Sequence, residues 1–401
     1  MALSMKVFFV EILNLKNYKW THWTFIFTIY FIIHLFVIVG TAHTNLAVFQ
    51  AEAFLKGNLQ IEEYFWDVAI YKDNYYVTYP PFPALLMTPL VAIWGTGVNS
   101  LLISFIATCL SMVVLYRILH HYMNDSNAKS WVFAGFFFGS PYWYAFLTSD
   151  YIYSFAHIIC TTLLLLLLLE LSGKQRMGWI AFYWTMAFMT RQMTLFYGII
   201  IIYFVLSNHQ PGAYRKLAFI GSSFILVTLA YLVINYLRFD NPLETGYSYL
   251  SYSGTIKSRV ESFGLFSYKY FFFNFYHMFI KGHHLIFTGN ELIRPGGIDL
   301  YGTSILAASP FVVFAAKADA PQKMRIYFWL TITLIIIGLL LYHNNGWMQV
   351  NSQRFTLDFF PALIILIAAA SKNTPLWLLR LTVLYSISLN ALSFAIHALY
   401  Q

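Results

Sequence analysis

Five ionisable side chains stand at the ends of long apolar stretches or inside them, where charge is expensive: His43, Glu52, Asp67, Arg191 and Arg354. Asp67 has the makings of a general base, a carboxylate that takes a proton from a hydroxyl or amine as that group attacks. It heads residues 67–89, in which acids, tyrosines and the corner Pro80-Pro81-Phe82-Pro83 crowd together between two apolar runs. The plainer reading of Asp67 is a turn or cap residue before a strand. Glu52 falls on a helical pattern, where a solvated charge competes with a catalytic one. Arg191, in Met-Thr-Arg-Gln-Met, interrupts two apolar runs with no loop around it. Its planar fork suits a phosphate, and interfacial snorkelling is the alternative. Arg354 opens a late apolar run in Asn-Ser-Gln-Arg-Phe-Thr-Leu-Asp, and its i,i+4 spacing to Asp358 makes an internal ion pair compete with anion binding. His43 sits where the first apolar run ends, and Asp73 reads as a hairpin-turn residue.

Other chemistries find little support. His283 and His284 are adjacent and so face different ways on a helix, and no third ligand is spaced for them, so no metal is expected. His120 and His121 read as structural interfacial residues. Cys109 and Cys160 lie inside apolar runs and read as packing residues, neither a disulfide framework nor a metal pair. Gly-x-Gly-x-x-Gly and Walker patterns are missing, and no stretch is long enough to form a separate soluble domain around a nucleotide sugar. Any donor is therefore expected from within the membrane. No cofactor is expected, and a divalent-cation requirement stays open.

The elements that must position these residues are helices in lipid. Of 401 residues, 59% are hydrophobic, 20% aromatic and only 10% charged, which implies an all-α polytopic membrane protein forming one integral domain over residues 1–401. About eleven spans are expected, at 23–40, 100–120, 131–144, 151–171, 179–190, 192–207, 217–237, 301–316, 326–342, 357–370 and 376–399. Residues 81–94, only fourteen long and led by prolines, suit a half-embedded helix better than a span. With that choice fourteen of the 24 Lys and Arg share one face with four acids, giving +10, while the other face carries −2. The positive face is the cytoplasm. The N-terminus is then inside, the C-terminus outside, and two long loops, 43–99 and 239–300, lie outside. Residues 1–19 carry three lysines but lead to no cleavage site, so the first helix is expected to be retained. The net charge of +8 reads as this orientation signal, with no nucleic-acid partner implied. Within the first outer loop an amphipathic helix at 45–55 should end at Lys56-Gly57-Asn58, followed by a hairpin of strands 68–71 and 75–79. The second should carry an aromatic juxtamembrane helix near 266–280, at headgroup level.

Several stretches in this order resemble the GT-C superfamily of integral membrane glycosyltransferases, near its protein mannosyltransferase and aminoarabinose transferase branch. They are the proline-led Pro80-Pro81-Phe82-Pro83-Ala84-Leu85-Leu86, a span ending at Arg117, Thr190-Arg191-Gln192, Asn235 to Arg238-Phe-Asp-Asn-Pro242 leading to Gly246-Tyr247, and Gly346-Trp347 through Gln353-Arg354 to Asp358-Phe-Phe-Pro361. The resemblance implies a GT-C-like bundle and a polyprenyl-phosphate sugar donor in the outer leaflet, transferred to a lipid, glycan or protein acceptor. It also implies a first-loop carboxylate as base, arginines on the lipid phosphate and inversion at the sugar carbon. The family places its acid immediately after the first helix, where this chain has Gly40-Thr-Ala-His43-Thr-Asn45, so the base falls to Asp67 or Glu52. Arg191, Arg354, Arg238, His43 and Tyr79 are the expected substrate-binding residues. Tyr79 and the neighbouring Phe65, Trp66, Tyr71, Tyr75 and Tyr76 suit sugar stacking or headgroup contact. A transporter or flippase for lipid-linked glycans, or a glycan polymerase, is the competing expectation.

Overall fold

The computed structural model describes residues 45–207, 212–346 and 348–400, together with Thr28 and Ile32. Apart from Thr28 and Ile32, the expected first span and His43 lie outside the described residues. The protein is mostly helical, and five described helices are long and apolar enough to cross a membrane: α3 (Ser100–Tyr122), α6 (Ile152–Ser172), α9 (Ala213–Phe239), α13 (Gln322–Leu340) and α15 (Leu376–Tyr400). The remaining elements are short, and they build one end of the bundle.

Chain order begins with α1 (Leu46–Leu55), capped by the Asn45 side chain and closed by Gly57 at φ +74°. Asn58 N–H donates to Ala53 O and Gly57 N–H to Phe54 O, the paired bonds of a Schellman close. Contrary to the amphipathic expectation, six of its ten residues are buried, because α2 (Phe82–Trp94) packs along it. Between them lies the hairpin β1 (Val68–Tyr71) and β2 (Asn74–Val77), paired Val68↔Val77 through Tyr71↔Asn74. Lys72 and Asp73 form the two-residue turn at φ +49° and +61°, the primed geometry that matches strand twist, so β2 starts one residue earlier than expected. The 13 residues of α2 rise only about 20 Å, short of a ~30 Å hydrocarbon core.

Several expected spans differ from single helices. The run at 131–144 divides into α4 (Ser126–Phe138) and α5 (Tyr142–Leu147), because Pro141 has no N–H and Ser140 instead caps the new helix by accepting from Tyr142 N at 3.1 Å. Asn390 on α15 donates to Phe138 O at 2.8 Å, satisfying a carbonyl that the break exposes. A 12-residue helix, α7 (Met177–Phe188), is followed by a 3-10 turn, Gln192–Phe196, and α8 (Tyr197–Ser207). The run at 301–316 is no span: it comprises β5 (Tyr301–Thr303), α12 (Ile305–Ala308) and the 3-10 stretch Pro310–Lys317. In the run at 357–370 the helix proper is α14 (Phe360–Ala369), all ten residues of which are buried, so it is a core helix apolar on every side.

Between α9 and β5 run α10 (Gly254–Phe263), α11 (Phe271–Phe275) continuing into the π-turn Tyr276–Ile280, and the hairpin β3 (Leu285–Thr288) with β4 (Arg294–Ile298). Strand β6 (Gln349–Ser352) pairs in parallel with β5. The β1–β2 hairpin is fastened to the end of α9: the buried Arg238 donates to Val77 O at 2.8 Å and to Asn235 Oδ1 at 2.6 Å, and Tyr71 and Tyr76 pack on Phe239. Lys72 closes the contact on Asp240 at 2.6 Å.

Candidate active site

At the end of the bundle where the hairpin, the α9–α10 connection and the start of β6 meet, a cavity of about 600 Å³ opens. Asp67, Tyr79, Arg191 and Arg354 all line it. Residues from three separate stretches of sequence thus face one space of the size small-molecule sites usually have.

Asp67 precedes β1 in the left-handed region, φ +67°, a conformation that aspartate tolerates better than most side chains because its short polar group bonds locally. Its carboxylate is accessible from the cavity while protein surrounds it. That recess raises its pKa from the ordinary 3.8, and the nearby Arg354 charge opposes the rise. Tyr79, just beyond β2, packs edge-on against Tyr247 with ring centres 6.4 Å apart. Burial holds the Tyr79 phenol well above its usual value, and Tyr247 is pushed up to about 12, so both are neutral hydroxyls near pH 7.

Arg191 sits at the break between α7 and the following 3-10 turn, where its N–H still bonds Ala187 O at 2.8 Å and its carbonyl accepts from Thr194. Its guanidinium grips Asp358 from two sides, Nε on Oδ1 and Nη2 on Oδ2, the latter at 2.8 Å. Asp358 is completely buried, and behind it the buried His157 of α6 stands 3.7 Å away. The Arg354–Asp358 ion pair, the alternative to anion binding by Arg354, is not formed. Residues Arg354–Asp358 are a 3-10 turn, in which side chains four apart point about 120° away from each other, and Asp358 turns to Arg191 instead. Arg354 is held over the Tyr153 ring at 4.3 Å, donating to Gly346 O at 3.1 Å, while its own N–H bonds Gln349 Oε1.

No protein-family model, curated protein or solved structure matches this chain. Its chemistry is read from the cavity alone.

The other expected site residues are elsewhere. Glu52 does not line the cavity; it is half-exposed on α1 and bound to Lys56 at 3.2 Å, as a solvated helix charge would be. Arg238 is also off the cavity, spent on fastening β2 to α9. Trp347 of the quoted Gly-Trp pair falls, like His43, outside the described residues. Sequence reasoning overlooked Asp358 as the partner of Arg191, took Tyr247 only as part of a motif, and gave no site role to Tyr153, Tyr252 and His343 on the cavity wall. The signal for His343 was present: a histidine and two asparagines directly after an apolar span. Among the described residues no group of histidine, cysteine and carboxylate side chains is arranged to hold a metal.

Gly246 sets the wall. It is at φ +92°, and a Cβ there would lie 2.6 Å from the Phe239 ring and 3.2 Å from Thr78. Gly246→Ala is expected to cost about 1–3 kcal/mol through strain and overpacking, read as an earlier unfolding midpoint in detergent.

Proposed function

We propose that this chain is an integral membrane glycosyltransferase of the GT-C type, which moves a sugar from a polyprenyl-phosphate donor to a lipid, glycan or protein acceptor on the extracytoplasmic face. One observation carries the reading: a recessed carboxylate, two arginines and several tyrosines line the same cavity at one end of a membrane bundle. Asp67 takes the proton from the acceptor O–H or N–H as that atom attacks the anomeric carbon. The bond from that carbon to the phosphate oxygen breaks, and the electron pair leaves on the phosphate, where Arg354 and Arg191 meet the growing charge. Attack from the side opposite the phosphate inverts the sugar carbon. Arg191 has Nε and Nη2 committed to Asp358, so Nη1 is the group it can turn to a ligand. The tyrosines offer ring faces to the sugar.

The test is transfer from radiolabelled polyprenyl-phosphate sugar by protein in proteoliposomes. Arg354→Gln, which keeps a donor but removes the charge, is expected to lower kcat/KM by roughly 10–100-fold, the value of one charge-assisted bond to phosphate. Transfer that survives both Arg354→Gln and Asp67→Asn would reject the enzymatic reading in favour of a transporter or flippase.

A further inference from the structure

We infer that His343 and Tyr252 form a second polar subsite in the cavity, one that reads the hydroxyls of an uncharged sugar ring. Both side chains line the cavity, and their rings meet edge-on at 5.3 Å. His343 is only 2% exposed, and its Nδ1 is buried with no hydrogen-bond partner in the protein. The Tyr252 hydroxyl is buried and equally without a partner. Each orphaned group of this kind costs about 1–3 kcal/mol, and native proteins leave few of them without a ligand or water to complete them.

His343 is also held still. The His343 N–H bonds Leu265 O at 2.9 Å, and its carbonyl accepts from Arg259, whose guanidinium lies over Phe273 at 4.1 Å. The Tyr342 ring packs 4.2 Å from the imidazole. Burial lowers the His343 pKa to about 4; Arg259 adds to the shift and the Leu265 carbonyl opposes it, so the ring is neutral near pH 7. The unpartnered Nδ1 of a neutral imidazole donates or accepts according to its tautomer, and a phenol does both. Sugar hydroxyls present that complement. A carboxylate or ammonium on the sugar would instead face neutral partners in a desolvated pocket and pay for it. Arg354, by contrast, suits an anion, so the cavity has separate places for a phosphate and for a neutral ring.

The inference rests on the transferase reading only in putting a sugar in this cavity, and binding tests it without turnover. Protein in lipid nanodiscs is titrated, by saturation-transfer NMR, with methyl gluco-, manno- and galactopyranoside, methyl glucuronide and butyl phosphate. At least one neutral glycoside should bind, and the glucuronide should bind at least about tenfold more weakly. Tyr252→Phe and His343→Phe should each weaken the neutral glycoside about three- to tenfold, His343→Gln should restore most of it, and butyl phosphate should bind all three variants as it binds the wild type. That phosphate arm reports the fold. If His343→Phe fails to fold, Tyr252→Phe decides, since it removes one oxygen and keeps the ring. Failure of every neutral glycoside to bind, unchanged affinity in Tyr252→Phe, or glucuronide binding as tight as the neutral ring would each overturn the subsite. Neutral-ring binding that depends on Tyr252, in a protein that transfers no sugar, would keep the subsite and remove the transferase.

Discussion

Asp67→Asn should lower sugar transfer by about 10²–10⁴-fold, the usual worth of a positioned general base, while the protein folds and binds donor as before. The substitution is well suited to that purpose. Asparagine tolerates the left-handed backbone at φ +67° as well as aspartate does, and it keeps the shape of the side chain. The sign of the stability effect separates this loss from unfolding. The Asp67 pKa is raised in the folded protein, so above its unfolded value the fold carries the cost of holding that charge in a recess, and the cost is relieved as pH falls through the folded value. At neutral pH Asp67→Asn should therefore unfold no earlier than the wild type. In the wild type, transfer should rise with pH along a limb whose apparent pKa lies above 3.8, and the residual transfer of Asp67→Asn should lack that limb. A variant with wild-type rates, or with the same acid limb, would show that another group takes the proton.

Breaking the Arg191–Asp358 pair should be the most destabilising change at the site, about 3–5 kcal/mol for either Arg191→Leu or Asp358→Asn, because each leaves its partner's charge unmatched. Asp358 is fully buried and the Arg191 side chain is only 15% exposed, so solvent screens the pair little. The double variant Arg191→Leu/Asp358→Leu should recover much of that loss, since two apolar side chains replace a buried pair at small net cost. Unfolding midpoints in detergent of the two single variants and the double variant complete the cycle, and single variants as stable as the wild type would refute the pair as an anchor. Activity should not return with stability in the double variant, because a cavity-lining cation is gone.

The site was legible where single residues were out of keeping with their surroundings. Asp67, Arg191 and Arg354 each interrupt apolar sequence, Tyr79 borders the proline corner, and these four face one cavity. What the sequence hid was which partner each charge takes. The i,i+4 spacing of Arg354 and Asp358 means a shared face only on an α-helix, and the chain forms a 3-10 turn there. Glu52 and Arg238 have the same composition-level signal as the cavity residues, and nothing local distinguishes a charge that fastens two elements from one that waits for a ligand. Tyr247 opens a three-residue 3-10 turn and Tyr252 and His343 lie in irregular chain, so no period places them. In the fold, long apolar runs were read well, as α3, α6, α9, α13 and α15 show. Shorter ones such as 301–316 were misread, because hydrophobicity without a capping or break signal does not separate a span from buried turns.

The fastening of the β1–β2 hairpin to α9 has a mechanical consequence. Few residues of α9 are buried, and its apolar run 217–237 reaches about 31 Å, close to the ~30 Å of a hydrocarbon core. Arg238, Phe239 and Asp240 at its end carry the hairpin with them, and Asp67 is the residue that leads into that hairpin. Arg354 sits instead on a 3-10 turn packed against the core helices α6 and α14, whereas Gln192 beside Arg191 is itself tied to α9 by its bond to Tyr231 Oη at 3.0 Å. A displacement of the end of α9 therefore moves Asp67 relative to Arg354.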